Sequence, residues 1–280
     1  MKLESFELRR ERGDDPSLTV RGEVRIPPGA EATVVICHGF KGFARFAFFP
    51  YLAEKLAAAG LRAITFDFSG SGIGPDRENF TNPGAFTRNT YLQELEDLDE
   101  VVAEARALDW IDDRYGLFGH SRGGGIAILQ AARDPRVQAL VTWAAISSTN
   151  RWPPEVVEEW RQRGYVDIPN ARTGQSIPLG LDILREVEEL GDSTLDIGAA
   201  AARIEVPWLI LHGTADETLS VSEAELLAQL SGDSSTLRLM EGASHTFGGK
   251  HPLTEVPPVL EKTIGETVDF FVAHLVGAEV

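Results

Sequence analysis

The segment Gly119-His120-Ser121-Arg122-Gly123 constrains this 280-residue chain more than any other stretch. A short apolar strand, Tyr115-Gly116-Leu117-Phe118, runs into it, and a helix from Gly124 to Arg133 leaves it. A Gly-x-Ser-x-Gly turn between strand and helix holds its serine in a strained backbone conformation, with the hydroxyl lifted off the sheet edge. Glycine is needed two positions to either side because the tight turn leaves no room for a Cβ. The following helix aims its first N–H groups at any negative charge that forms beside the serine. A nucleophile on an α/β sheet is the reading that this context supports.

Composition narrows the alternatives. A hydrophobic content of 43% over this length provides a full core, and Cys37 is the single cysteine, so no intrachain disulfide holds the fold. The N-terminal residues Met1 to Glu7 lack an apolar stretch, and no run reaches membrane-spanning length, which predicts a cytoplasmic protein. A net charge of −17 argues against nucleic acid and anionic membranes as partners, since both would be repelled. No Cys/His cluster has zinc spacing, so no metal or cofactor is expected. Gly70-Ser71-Gly72-Ile73-Gly74 fails the dinucleotide spacing, lacks a P-loop lysine and is followed by Pro75; it reads as a turn.

Along the chain, Phe6–Arg10 and Leu18–Ile26 read as an antiparallel pair turning at Gly13-Asp14-Asp15-Pro16. Strands at Thr33–Cys37, Leu61–Phe68, Tyr115–Phe118, Ala139–Ile146, Pro207–Leu211 and Thr236–Met240 alternate with helices, which predicts a mostly parallel sheet covered on both faces. On the helix from Thr90 to Asp109, Leu92, Leu95, Leu98, Val101, Val102, Ala105 and Leu108 are expected to form the buried stripe. Glu94, Glu96, Asp97, Asp99, Glu100 and Glu104 are expected to face water. Residues 149–203 break the alternation with two helices and a hairpin across Asn170-Ala171-Arg172-Thr173-Gly174. They read as a cap inserted into a core made of residues 1–148 and 204–280, lying over the carboxyl ends of the strands where open α/β sheets bind ligands.

A serine hydroxyl attacks only when a base takes its proton, and the base needs an acid to fix its tautomer. Asp216 follows the strand Pro207–Leu211, and His245 follows the strand Thr236–Met240, so both lie on loops at the serine's edge of the sheet. Glu217 is an alternative acid, and His251 and His274 are the other histidines that follow Asp216. The backbone N–H groups of Arg122 and Phe40 are the expected oxyanion donors, with Gly39 permitting a close approach. His38, Cys37, Asp67 and His212 read as structural. Trp152, Trp160 and Tyr165 in the insertion, and Phe43, Phe46, Phe48 and Phe49 after the oxyanion loop, are candidate pocket aromatics. Asp167 and Gln175 are candidate polar contacts for a phenolic substrate.

Five blocks, His38-Gly39-Phe40, Asp67-Phe68-Ser69-Gly70-Ser71-Gly72, Gly119 to Gly123, His212-Gly213-Thr214-Ala215-Asp216 and Ser244-His245, stand in the order and spacing of one family. The chain resembles the α/β-hydrolase superfamily across nearly its whole length. Its N-terminal hairpin and compact insertion look most like bacterial carboxylesterases of the cinnamoyl/feruloyl esterase type, which cleave hydroxycinnamate and other short or aryl esters. The resemblance implies Ser121, Asp216 and His245 as triad, Phe40 and Arg122 as oxyanion donors, and a small-molecule ester as substrate. Arginine follows the nucleophile here, where that type often has glutamine. Amide, peptide or thioester cleavage by the same trio, and non-catalytic ligand binding on the same fold, are the competing readings.

Overall fold

The computed structural model describes residues 1–9, 18–170 and 174–276. Ten strands occur among them: β1 (Lys2–Arg9), β2 (Thr19–Ile26), β3 (Thr33–Cys37), β4 (Arg62–Asp67), β5 (Tyr115–His120), β6 (Val137–Trp143), β7 (Tyr165–Asn170), β8 (Gln175–Gly180), β9 (Trp208–Gly213) and β10 (Ser235–Met240). The helices are α1 (Phe49–Ala58), α2 (Pro83–Thr87), α3 (Tyr91–Ala107), α4 (Arg122–Ala131), α5 (Pro154–Arg163), α6 (Asp182–Leu190), α7 (Ile197–Ala201), α8 (Val221–Ser231) and α9 (Pro258–Leu275).

Eight strands form one sheet in the order β1-β2-β4-β3-β5-β6-β9-β10. The β1–β2 pair and its junction with β4 are antiparallel; every pairing from β4 through β10 is parallel. This is the α/β-hydrolase fold. The predicted N-terminal pair therefore forms, while its turn at Gly13–Pro16 lies outside the described residues.

Strand alternation divides the interior. Val35, Cys37, Tyr115 and Leu117 face one core with the apolar stripes of α3, α4 and α8. Val34, Ile36 and Phe118 face the other with α1 and α9. A strand whose successive residues are all apolar belongs between two such layers. β6 stops at Trp143 rather than Ile146, because Ala144 turns into positive φ (44°) and the chain leaves the sheet.

The segment between β6 and β9 is tied down at several points. α5 packs on β7, and β7 and β8 form an antiparallel hairpin whose tip falls partly outside the described residues. Glu186 of α6 accepts the backbone N–H groups of Tyr91 and Leu92 (2.7 and 3.1 Å), closing the N-terminus of α3 beside its Thr90 cap. α7 instead packs against α4 and α8, so this last part of the segment serves the helix layer of the sheet.

The acidic helix departs from expectation in both parts of the pattern: Leu108, expected on the buried stripe, caps the helix and is 44% exposed. Asp97 is wholly buried and accepts the N–H and hydroxyl of Ser69, and Glu94 is buried against Arg122 and Asn89. Both face inward because a carboxylate with enough donors tolerates burial.

Glycine is indispensable where the elbow meets β3. A Cβ on Gly123 would lie 2.3 Å from the His38 carbonyl oxygen, and one on Gly119 would lie 2.3 Å from that of Gly123. Gly265, in the middle of α9, faces open space. We expect Gly123→Ala to destabilise the fold by about 1–3 kcal/mol, since rigid backbone cannot yield, and Gly265→Ala to stabilise it by about 0.5–1 kcal/mol. Urea unfolding of the two variants checks both signs.

Candidate active site

Ser121 sits between β5 and α4 with φ 56° and ψ −119°, a conformation that costs a non-glycine residue about 1–3 kcal/mol. The surroundings enforce it. Its N–H donates to Trp143 in β6 (2.9 Å), and its carbonyl accepts from Gly124, Gly125 and Ile146. As the first residue of α4, Arg122 has an amide that no carbonyl of its own helix can take.

The loop after β3 is held as firmly. His38 is buried; its Nδ1–H donates to the Gly39 carbonyl (2.9 Å) and its Nε2 accepts from the Phe68 N–H (3.1 Å). Those two bonds require one neutral tautomer, and burial lowers the His38 pKa in the same direction. Asp67 accepts the Ala44 N–H (2.7 Å) and Arg77 (3.0 Å), fixing the far end of the loop. A Cβ on Gly39 would lie 3.0 Å from the Ser121 Cβ, which measures how closely this loop and the serine approach at Gly39. His38 and Asp67 are structural, as expected.

Asp216 and His245 meet across the loops after β9 and β10. The His245 Nδ1–H donates to Asp216 Oδ2 at 2.8 Å, and the other carboxylate oxygen accepts the N–H groups of Thr218 (2.7 Å) and Leu219 (2.9 Å). Burial pushes the Asp216 carboxyl up, but the bonds from His245, Leu219 and Thr218 outweigh it and hold the pKa below its ordinary 3.8. His212, fully buried beneath, donates Nε2–H to the Leu219 carbonyl (3.1 Å) and lies 3.4 Å from Asp216 Oδ2. Glu217 instead accepts the backbone N–H of His245 (3.4 Å). His251 takes the Ala47 N–H and stacks on Phe46, while His274 packs beside Phe270 on α9. Of the histidines after Asp216, the acid thus engages His245.

Ser121, Arg122, Phe40 and His245 line one cavity of about 470 Å³. Trp152 lines it too. Trp160 does not: it is buried behind Trp152, edge to face at 5.2 Å, and fixes that ring. Tyr165 is 38% exposed and holds Arg163 through its hydroxyl (3.0 Å) and ring. Asp167 also pairs with Arg163, and Gln175 borders a separate groove with Phe80 and Pro83. Phe43, Phe46, Phe48 and Phe49 pack in the interior around His251, His120 and Trp143. The sequence reading missed Tyr91, Lys41, Arg151 and Ile168 as cavity residues. Tyr91 was legible as the first residue of a capped helix; the others lie on loops or a hairpin with no periodic signal.

Arg122 has a second role. Its guanidinium pairs with Glu94 (3.0 Å) and lies against the rings of Tyr91 (4.1 Å) and Phe40 (5.0 Å). One side chain therefore joins the strand-to-helix turn to α3 and to the loop after β3.

The site and sheet together define an α/β-hydrolase. The chain belongs to the serine aminopeptidase S33 family (Hydrolase_4), whose model matches residues 28–178. It is 33% identical over 126 residues to an uncharacterized 31.7 kDa protein of the traX-finO intergenic region of Escherichia coli, covering 44% of this chain and 41% of that protein. It is 27% identical over 206 residues to 2,6-dihydropseudooxynicotine hydrolase of Paenarthrobacter nicotinovorans, covering 69% of this chain and 47% of that protein. The matched region is thus less than half the length of either relative. The structure of Est1E from Butyrivibrio proteoclasticus with ferulic acid bound superposes with a TM-score of 0.70 at 18% identity, covering 92% of this chain and 96% of that one. No helix among the described residues is long and apolar enough to cross a membrane.

His120 supplies a pH dependence of stability. Its Nε2–H donates to the His245 carbonyl (3.0 Å), and burial, followed by the adjacent His245, lowers its pKa from 6.5 to about 3. The unfolded chain takes up this proton below about pH 6.5 while the folded chain does not, so stability is lost as pH falls through that range. Urea unfolding between pH 6.5 and 4.5 is expected to show a slope reduced by about 1.4 kcal/mol per pH unit in His120→Gln. An unchanged slope contradicts the assignment.

Proposed function

We propose that this protein is a serine hydrolase that cleaves carboxylic esters through an acyl-enzyme on Ser121. The observation that carries the reading is the Asp216–His245 bond of 2.8 Å facing the same cavity as a serine in a strained strand-to-helix turn. With Nδ1–H committed to Asp216, Nε2 is the nitrogen left to take the Ser121 proton. Serine Oγ then bonds to the ester carbonyl carbon, and the oxyanion meets the N–H groups of Phe40 and Arg122. His245 returns the proton to the leaving alkoxide as the C–O bond breaks. Water, deprotonated by the same imidazole, releases the acid and restores the serine. The small-molecule ester is cleaved without cofactor, and the part of the 149–203 insertion that precedes α7 acts as a cap that supplies Trp152 and Ile168 to the cavity.

The family's description favours a second reading, removal of an amino acid from a peptide N-terminus. Such a substrate brings an ammonium group, which a carboxylate would hold. Among the described residues, no aspartate or glutamate lines the cavity. Ester cleavage is therefore preferred.

Fluorophosphonate labelling of the wild type and of Ser121→Ala tests the nucleophile: only the wild type is expected to label. On p-nitrophenyl butyrate, Ser121→Ala should lower kcat by roughly 10⁴ or more. Equal labelling of both proteins refutes the assignment, and faster cleavage of aminoacyl anilides than of esters selects the peptidase reading.

A further inference from the structure

The charged residues that line the cavity are Lys41, Arg122 and Arg151, and every one is basic, in a chain of net charge −17. We propose that the substrate is an ester carrying a free carboxylate away from the scissile bond. This rests on the serine-hydrolase reading above and adds the chemical class of the substrate.

Lys41 carries most of the argument. It follows Phe40 directly, and its ammonium reaches across to donate to the Pro169 carbonyl on β7 (3.3 Å). Among the described residues no carboxylate is paired with it. Its backbone has φ 62°, set by the tight turn in which the Gly42 N–H bonds the Gly39 carbonyl. A glycine would occupy that conformation without strain; a lysine there costs about 1–2 kcal/mol and places a cation at the cavity wall.

The two arginines are held in place by carboxylates that do not line the cavity. Glu94 holds Arg122 through Nε (3.0 Å), and the Nη2 of that guanidinium is buried with no hydrogen-bond partner among the described residues. Glu223 holds Arg151 (2.8 Å) and is itself fixed by the Ser147 N–H. An anion entering the cavity meets the exposed ammonium of Lys41 and the part-exposed guanidinium of Arg151, with Arg122 buried behind Phe40 and Tyr91, and no carboxylate among the described lining residues. An ammonium or a wholly neutral ester gains nothing from that arrangement, whereas a carboxylate exchanges water for charge-assisted bonds.

Two matched pairs of substrates test this: monoethyl against diethyl adipate, and 4-acetoxybenzoate against its methyl ester, followed by pH-stat in the full-length protein. At least one anionic member is expected to have a kcat/KM about tenfold above its neutral mate at low ionic strength, mainly through KM. The preference should shrink at 0.5 M salt, where the Debye length falls to a few ångströms, on the order of 4 Å. The ratio within a pair is read on each protein separately, so partial misfolding of a variant cancels. Lys41→Gln should reduce the ratio about tenfold and Arg151→Gln in the same direction. Equal or faster cleavage of both neutral members overturns the proposal, as does an unchanged ratio in both variants. So does cleavage of no member by a protein whose Ser121 still reacts with fluorophosphonate. Failure of Ser121 to react overturns the hydrolase reading itself.

Discussion

The site depends on a place where two stretches of backbone touch. Gly123, at the start of α4, sits so close to the carbonyls of Cys37 and His38 that no other residue fits. That contact sets the distance between the elbow and the loop after β3, and so the distance between Ser121 and the Phe40 amide. Oxyanion stabilisation depends on donors already in position, and backbone clamped to backbone is less able to drift than side chain against side chain. The remaining bonds on the loop follow the same logic. His38 braces the loop internally through Nδ1 to the Gly39 carbonyl and joins it to the end of β4 through Nε2 to the Phe68 N–H, and Asp67 receives it again at Ala44.

The imidazole is held from two sides. Asp216 takes the ring through Oδ2 while the N–H groups of Thr218 and Leu219 occupy Oδ1, so the carboxylate has little freedom to turn. The backbone carbonyl of His245 is bound by His120, the residue immediately before Ser121. The strand-to-helix turn therefore anchors His245 as well as holding Ser121. Burial against Phe48 and Phe49 keeps His120 neutral while its Nε2–H makes that bond.

Much of this was legible in the sequence because it is set by local backbone demands. Strand-to-helix turns, glycines at fixed offsets and polar residues on loops after apolar strands are short-range signals, and they singled out Ser121, Asp216 and His245 as candidates. What the chain alone did not reveal depends on distant partners. Trp160 and Tyr165 looked equivalent to Trp152 as aromatics in an insertion, yet one is buried behind it and the other is paired with Arg163 outside the cavity. Asp97 looked like a solvated acid because Ser69, its partner, lies 28 residues earlier. Glu94 was partly readable: it is three residues from Tyr91 and four from Leu98, on the inner stripe, and only its charge disguised it.

That buried carboxylate raises a question of energetics. A buried ion pair is often no more stable than well-packed apolar side chains of similar volume, because desolvating both charges offsets their attraction, whereas losing one partner costs about 3–5 kcal/mol. Stability therefore does not account for Glu94 and Arg122. Geometry does. A guanidinium can bond a carboxylate at its edge while presenting its faces to two aromatic rings, and here those rings belong to Phe40 and Tyr91. An aliphatic residue would fill the space without fixing an angle. The pair makes three separate elements, the loop after β3, α3 and α4, register against a single planar group beside the cavity.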